Sequence, residues 1–227
     1  MNKPNHHPEL ERLALFSSGS LYLSEALCIS AHIEVCEQCR GTIQHLNQVG
    51  SELLTQLDRS PVSVDLKSRV LAQLDKIDDL SPTRRFEYKR PPIHSNLPRC
   101  LRSFLDTDYH NLEWNKLTPD ISNIELCRDS NAARVELLKI RPGGTSNTHT
   151  HLGNEYTVIL EGSFSDENGL YQKGDFIARD ASHAHTPVAS LNGDCICLAV
   201  TEAPVQLTGW FGRLFNPMLR RKFSLAI

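Results

Sequence analysis

Apolar residues in the first third of the chain recur with a helical period, whereas those of the second half cluster in short runs. Leu10, Leu13 and Ala14 follow Pro8 on one helical face, and Ser17-Ser18-Gly19 closes that stretch. A second helix is expected from Ser20, a suitable N-cap, through Leu23, Ala26, Leu27 and Ala31 toward His32. A third, from about Cys36 to Leu57, carries Ile43, Leu46, Val49, Leu53, Leu54 and Leu57 on one side, and Ser60-Pro61 breaks it. The fourth presents Leu66, Val70, Leu74 and Ile77 as a single stripe among Lys67, Arg69, Asp75 and Lys76. Between residues 81 and 98 four prolines alternate with charges and no apolar period survives, which reads as an extended linker. Beyond Leu101 strand-like runs lie near Trp114 and over 124–128, 133–140, 156–161, 175–178 and 194–200. Turns are expected at Arg141-Pro-Gly-Gly144 and Glu167-Asn-Gly169.

This pattern predicts a two-domain α + β protein: a helical module over 1–82, a linker over 83–98 and a β domain over 99–227. Many short strands in one domain fit a sandwich or a small barrel. Four short helices make a thin core, near the size at which apolar burial alone stops supporting a domain comfortably. The Leu66/Val70/Leu74/Ile77 stripe is either an ordinary core face or one left for a partner or for the second domain.

Composition narrows the function classes. The chain of 227 residues has a net charge of -3 and no basic stripe, so direct nucleic-acid binding is not expected. No apolar run approaches the length of a membrane span, and the first residues lack the apolar core of a signal peptide. A cytoplasmic location is therefore expected. Seven cysteines, an odd number without a secretory signal, point to metal ligation or reduced thiols rather than to a disulfide framework.

Two clusters carry chemistry. His32, Cys36 and Cys39 stand at H-x3-C-x2-C spacing, so on one helix they would share a face. Two thiolates with an imidazole suit tetrahedral Zn²⁺, and His7, next to His6, is the candidate fourth ligand of a closed structural site. Such a staple would supply the stability that the helical module lacks. In the β domain His149 and His151 lie two apart, Glu155 follows, and His185 comes later, with His183 the less favoured alternative. Three imidazoles and a carboxylate accept a divalent metal, zinc first, with iron, manganese, nickel or copper as alternatives. Cys195 and Cys197 share one side of a strand, as core fillers or, less readily, as redox partners near that metal.

The second cluster closely resembles the cupin motifs. In the first, G-x5-H-x-H-x3,4-E-x6-G, Gly143, His149, His151, Glu155 and Gly162 match every fixed position. In the second, Gly174 and His185 match, whereas Asp180, Ser182 and Ala189 replace the usual proline, glycine and asparagine. The resemblance implies a cupin β-barrel (jelly roll) with the metal at its mouth. The first cluster, with His7, resembles the zinc-binding anti-sigma domain. Together, in this order, the two halves resemble ChrR-type anti-sigma factors over essentially the whole chain. That resemblance implies a zinc-stapled helical domain sequestering an extracytoplasmic-function-type (group IV) sigma factor. It further implies a cupin domain through which singlet oxygen or organic peroxide releases that factor. With a complete ligand set attached to a partner-binding module, a sensor rather than an enzyme is expected. The Leu66, Val70, Leu74 and Ile77 face is then expected to grip the sigma factor. The alternative reading is a metal-dependent cupin dioxygenase whose helical half only drives oligomerisation. A DNA-binding regulator is disfavoured because the helical half is not basic. The aromatic and basic tail over 209–222 is expected to cover the barrel rather than to bind lipid.

Overall fold

Four helices precede an all-antiparallel β domain in the computed structural model, which describes residues 3–74, 97–146, 148–182, 184–207 and 216–217. The side chains of His151, Val205 and Leu207 also lie outside the described set. Most of the expected linker, Ile77, His183 and nearly all of the 209–222 tail fall outside it as well.

The helices are α1 (Leu10–Ser17), α2 (Leu23–Val35), α3 (Glu37–Thr55) and α4 (Leu66–Leu74). Helix α2 starts later than Ser20 suggests. Its N-cap is Tyr22, in extended conformation and without a side-chain cap, and the Ser20 hydroxyl lies 2.9 Å from that of Ser18 instead. The cap arrives from elsewhere: Asp129, in the β domain, accepts the backbone N–H of Ser24 at 2.7 Å. The second difference is at the cysteine cluster, where His32, Cys36 and Cys39 do not lie along one helix. Helix α2 ends at Val35, and Cys36, extended at φ -100 and ψ 104, is the N-cap of α3, its sulfur accepting the N–H of Cys39 at 3.4 Å. The sulfur thereby takes up one of the N–H groups that a first helical turn leaves free.

The apolar side of α3 is only partly covered. Ile43 is buried, yet Val49, Leu53, Leu54 and Leu57 are 59%, 60%, 69% and 66% exposed. Length explains this: at 1.5 Å per residue α3 runs about 28 Å and its neighbour α1 about 12 Å, so the far half of α3 outruns its cover.

Among the described residues eleven strands follow: β1 (Asn115–Lys116), β2 (Ile121–Arg128), β3 (Arg134–Ile140), β4 (His149–His151), β5 (Glu155–Glu161), β6 (Ser163–Asp166), β7 (Gly169–Gln172), β8 (Phe176–Arg179), β9 (Val188–Ala189), β10 (Cys195–Thr201) and β11 (Val205–Leu207). They form a six-stranded sheet in the order β1-β2-β3-β10-β5-β8, a three-stranded sheet β7-β6-β9 and the pair β11-β4. This is the cupin-like antiparallel sandwich that the motifs imply. The five strands unseen in the sequence, β4, β6, β7, β9 and β11, are too short to display alternation. At the start of β6, Gly162 has φ +74 and lies so close to the Asp194 carbonyl that any Cβ would collide with it.

Strand β10 is buried along its whole length. Ile196, Leu198 and Val200 belong to one core with Leu27, Cys28 and Ile29 of α2, whereas Cys195 and Cys197 pack in the barrel interior with Ile159, Phe164 and Ile177. Helix α2 lies on the outer face of the large sheet against β5, β8 and β10. A strand covered on both faces reads as a continuous apolar run, which is how β10 looks in the sequence. Helices α1 to α3 and the barrel thus share a hydrophobic core.

Candidate metal centres

The first centre forms where α2, α3 and the extended N-terminal segment meet. His32 lies in the last turn of α2, Cys36 caps α3, Cys39 lies in the first turn of α3, and His7 comes in just before α1. Their ligand atoms all fall within 4.8 Å of one another. His7 Nδ1 is 3.4 Å from His32 Nε2, 3.3 Å from Cys36 Sγ and 3.5 Å from Cys39 Sγ, and His32 Nε2 is 3.3 Å from Cys39 Sγ. Tetrahedral zinc, with bonds of about 2.0 Å to nitrogen and about 2.3 Å to sulfur, separates its ligand atoms by about 3.3–3.8 Å. The donor set and its spacing fit that ion. His6 is not part of the cluster; its ring packs on Tyr171 with centroids 4.7 Å apart.

Burial and hydrogen bonding set the protonation of this cluster. Burial holds the His32 imidazole down at about 4, so the ring is neutral at physiological pH, as a ligand must be. Its Nδ1 lies 2.6 Å from the carbonyl oxygen of Gly174. A carbonyl only accepts, so Nδ1 carries the proton and Nε2 presents its lone pair to the cluster. Burial, then the neighbouring Cys36, pushes the Cys39 thiol up to about 12, so without a cation it stays protonated. A bound divalent ion supplies the positive charge that converts such thiols to thiolates.

The second centre lies inside the barrel. Ligand atoms of His149 on β4, Glu155 on β5 and His185, which follows β8, lie within 4.8 Å of one another. His149 and His185 form an isolated antiparallel bridge, with ring centroids 4.6 Å apart. His151 lies in β4 opposite Val205 of β11. Where the second cupin motif usually has proline and glycine, the Asp180 carboxylate accepts the Ser182 N–H at 2.8 Å and its hydroxyl at 2.6 Å. This Asx turn does the bending that Pro and Gly would otherwise do before His185. Two imidazoles and a carboxylate are a donor set for a divalent first-row metal.

These ligands open onto a cavity of about 280 Å³ walled by Leu117, Ile121, Leu138, Phe164 and Ile177. Its buried charges are paired: Glu136 with Arg134 at 3.1 Å and with Asn123 at 2.7 Å, and Arg179 with Asp166 at 3.0 Å. Cys197 also lines the cavity, its sulfur 3.7 Å from that of Cys195. The hydrogen bond with Cys195 and burial hold the Cys197 thiol well above its ordinary value, in its unreactive protonated form.

Among the described residues the expected partner face stays uncovered. No residue of α4 is buried: Leu66, Val70 and Leu74 are 38%, 47% and 54% exposed. Helix α3 contributes a second bare apolar face through Val49, Leu53, Leu54 and Leu57, which the apolar pattern alone does not mark as exposed. The mismatch between its length and that of α1 was the available signal. Among the described residues no helix is long and apolar enough to cross a membrane.

Comparison with known proteins agrees with this arrangement. A family model described as the ChrR cupin-like domain matches residues 104–205. The anti-sigma-E factor ChrR of Cereibacter sphaeroides is 30% identical over 217 residues, covering 95% of this chain and 98% of that protein. The crystal structure of Rhodobacter sphaeroides SigE in complex with the anti-sigma ChrR superposes with a TM-score of 0.74 at 28% identity, over 88% of this chain and 100% of the matched chain. With both halves matched in order and nearly end to end, this chain belongs to the ChrR family of anti-sigma factors, regulatory proteins and not enzymes.

Proposed function

We propose that this protein sequesters an extracytoplasmic-function-type sigma factor through its helical module and frees it when the barrel is altered by oxidative stress. The observation that carries this reading is α4, a helix with an apolar stripe and no buried residue. Such a helix gains little from standing in water and much from laying that stripe in a groove of a partner. The exposed half of α3 extends the same kind of surface, and burial of each Leu or Val there is worth about 1.5–3 kcal/mol. Membership of a family of anti-sigma factors, and the likeness to a chain solved in complex with SigE, support a sigma factor as the occupant.

In this reading His7, His32, Cys36 and Cys39 hold a structural zinc that fixes the corner between α2 and α3. His149, His151, Glu155 and His185 hold a second divalent metal, zinc by first choice, and the barrel around it responds to singlet oxygen or organic peroxide. The division into a helical module over 1–82, a linker over 83–98 and a cupin domain over 99–227 belongs to the same proposal, as does a cytoplasmic site of action. The test is to co-express the full chain with extracytoplasmic-function-type sigma factors from its own genome, purify the complex and count its metals. A stable one-to-one complex carrying thiolate-bound zinc is expected; a chain that captures none of them overturns the proposal.

A further inference from the structure

The first metal centre draws its outer support from the barrel. The turn between β7 and β8 brings Gly174 and Asp175 against the N-terminal segment and α2. Asp175 is fully buried, and its Oδ1 accepts the backbone N–H groups of Asn5 at 2.6 Å and His6 at 3.1 Å. Its Oδ2 accepts the N–H of Gln172 at 2.8 Å, which locks the carboxylate to its own turn. Two further bonds hold the same segment: the Phe176 N–H donates to the His6 carbonyl at 3.0 Å, and the Gln172 amide donates to the Lys3 carbonyl at 3.2 Å. Residues 3–6 therefore lie on the barrel, and His7 enters the cluster directly after them. Gly174, whose carbonyl orients His32, has φ +93, and a Cβ there would stand 2.9 Å from both Pro4 and Val35. The turn is thus pressed between two of the elements that deliver ligands.

We infer that Asp175 is a positioning residue for the zinc centre of the helical module, and that the β7–β8 turn couples metal binding there to the state of the barrel. The inference rests on the proposed zinc at His7, His32, Cys36 and Cys39. His7 stands on a segment without helix or strand of its own, and such a segment holds a ligand in place only if something else anchors its backbone. Asp175 provides that anchor with a buried carboxylate, and Gly174 fixes the tautomer of His32. Outer-shell groups of this kind typically change metal affinity by about 10–100-fold when removed. Coupling of this sort is reciprocal: a barrel that shifts its turn loosens the metal, and loss of the metal loosens the turn.

The experiment titrates the metal-free full-length chain with Co²⁺ and then with competing Zn²⁺. The readout is the thiolate-to-cobalt charge-transfer band, which a two-cysteine site gives and a His/Glu site does not. Asp175→Ala is expected to weaken binding by about 10-fold or more. Asp175→Asn, which keeps one acceptor oxygen, is expected to fall between it and the parent, and it remains decisive if the alanine variant does not fold. Ile140→Ala, a truncation on β3 in the barrel-interior core that is separate from the one holding Cys36 and Cys39, serves as the control and is expected to leave the affinity unchanged. Parent-like affinity in the Asp175 variants, or an equal loss in Ile140→Ala, would overturn the inference. A parent chain that shows no thiolate band at all would instead overturn the zinc assignment, and this inference with it.

Discussion

The carboxylate of Asp129 caps helix α2 from a turn of the barrel, accepting the backbone N–H of Ser24 at 2.7 Å across 105 residues of sequence. Tyr22, the residue at the N-cap itself, offers no side-chain acceptor. A helix start leaves free N–H groups and a partial positive charge, and Asp129 answers both. The contact pins the far end of α2 to the barrel, while His32 and Gly174 pin its near end.

This cap gives a pH signature. Burial alone would raise the Asp129 carboxyl, but the hydrogen bonds from Ser24 and Ser130 outweigh it and hold the group below its ordinary 3.8. A carboxyl depressed in the folded state contributes stability that is complete above the unfolded value. That contribution is lost as pH falls through the lower folded value. Asp129→Ala should therefore cost about 1 kcal/mol at neutral pH. The gap to the parent should close as the pH drops below 3.8 in denaturant titrations. A gap that persists unchanged in acid would show that the carboxylate charge is not the source.

Placing a charge on α4 tests the partner face. Val70→Asp should abolish capture of the sigma factor while leaving zinc content and melting temperature at parental values, because Val70 is 47% exposed and supports no core. Leu53→Asp on the bare half of α3 should weaken capture in the same way. Pull-down and elemental analysis read both outcomes, and sigma binding that survives Val70→Asp means another surface does the gripping.

Replacing Cys36 and Cys39 together by Ser should remove the zinc of the first centre and free α3 from its corner with α2. Because these thiols are buried in the shared core, the loss should reach several kcal/mol, the usual scale for breaking a buried set of this kind. Calorimetry, with and without a chelator on the parent, should give matching drops. A double variant that stays fully folded and still holds its sigma factor would dispose of the structural role.

Substituting His149 and His185 by Ala should empty the barrel centre and leave the first one loaded. The sigma factor should still be captured by the unstressed protein, and its release on exposure to singlet oxygen or an organic peroxide should fail. A transcriptional reporter measured before and after exposure separates the two, and an unaltered stress response would remove the barrel metal from the sensing path.

Much of this protein is written locally. The helical period yields α1 to α4 to within a few residues, the H-x3-C-x2-C spacing marks three candidate ligands, and the cupin motifs single out His149, Glu155 and His185, whose ligand atoms lie within 4.8 Å of one another. Those features depend on neighbours a few residues apart, which a linear pattern records. The fold decided the rest. Periodicity says which side of α3 is apolar and that α3 is longer than α1, but not which element packs along it. Nothing near Ser24 announces Asp129, and nothing near His32 announces Gly174, 142 positions away. Whether an apolar face becomes core or docking surface, and whether a ligand has an anchor behind it, depends on which distant element arrives there. That is settled only when the chain closes on itself.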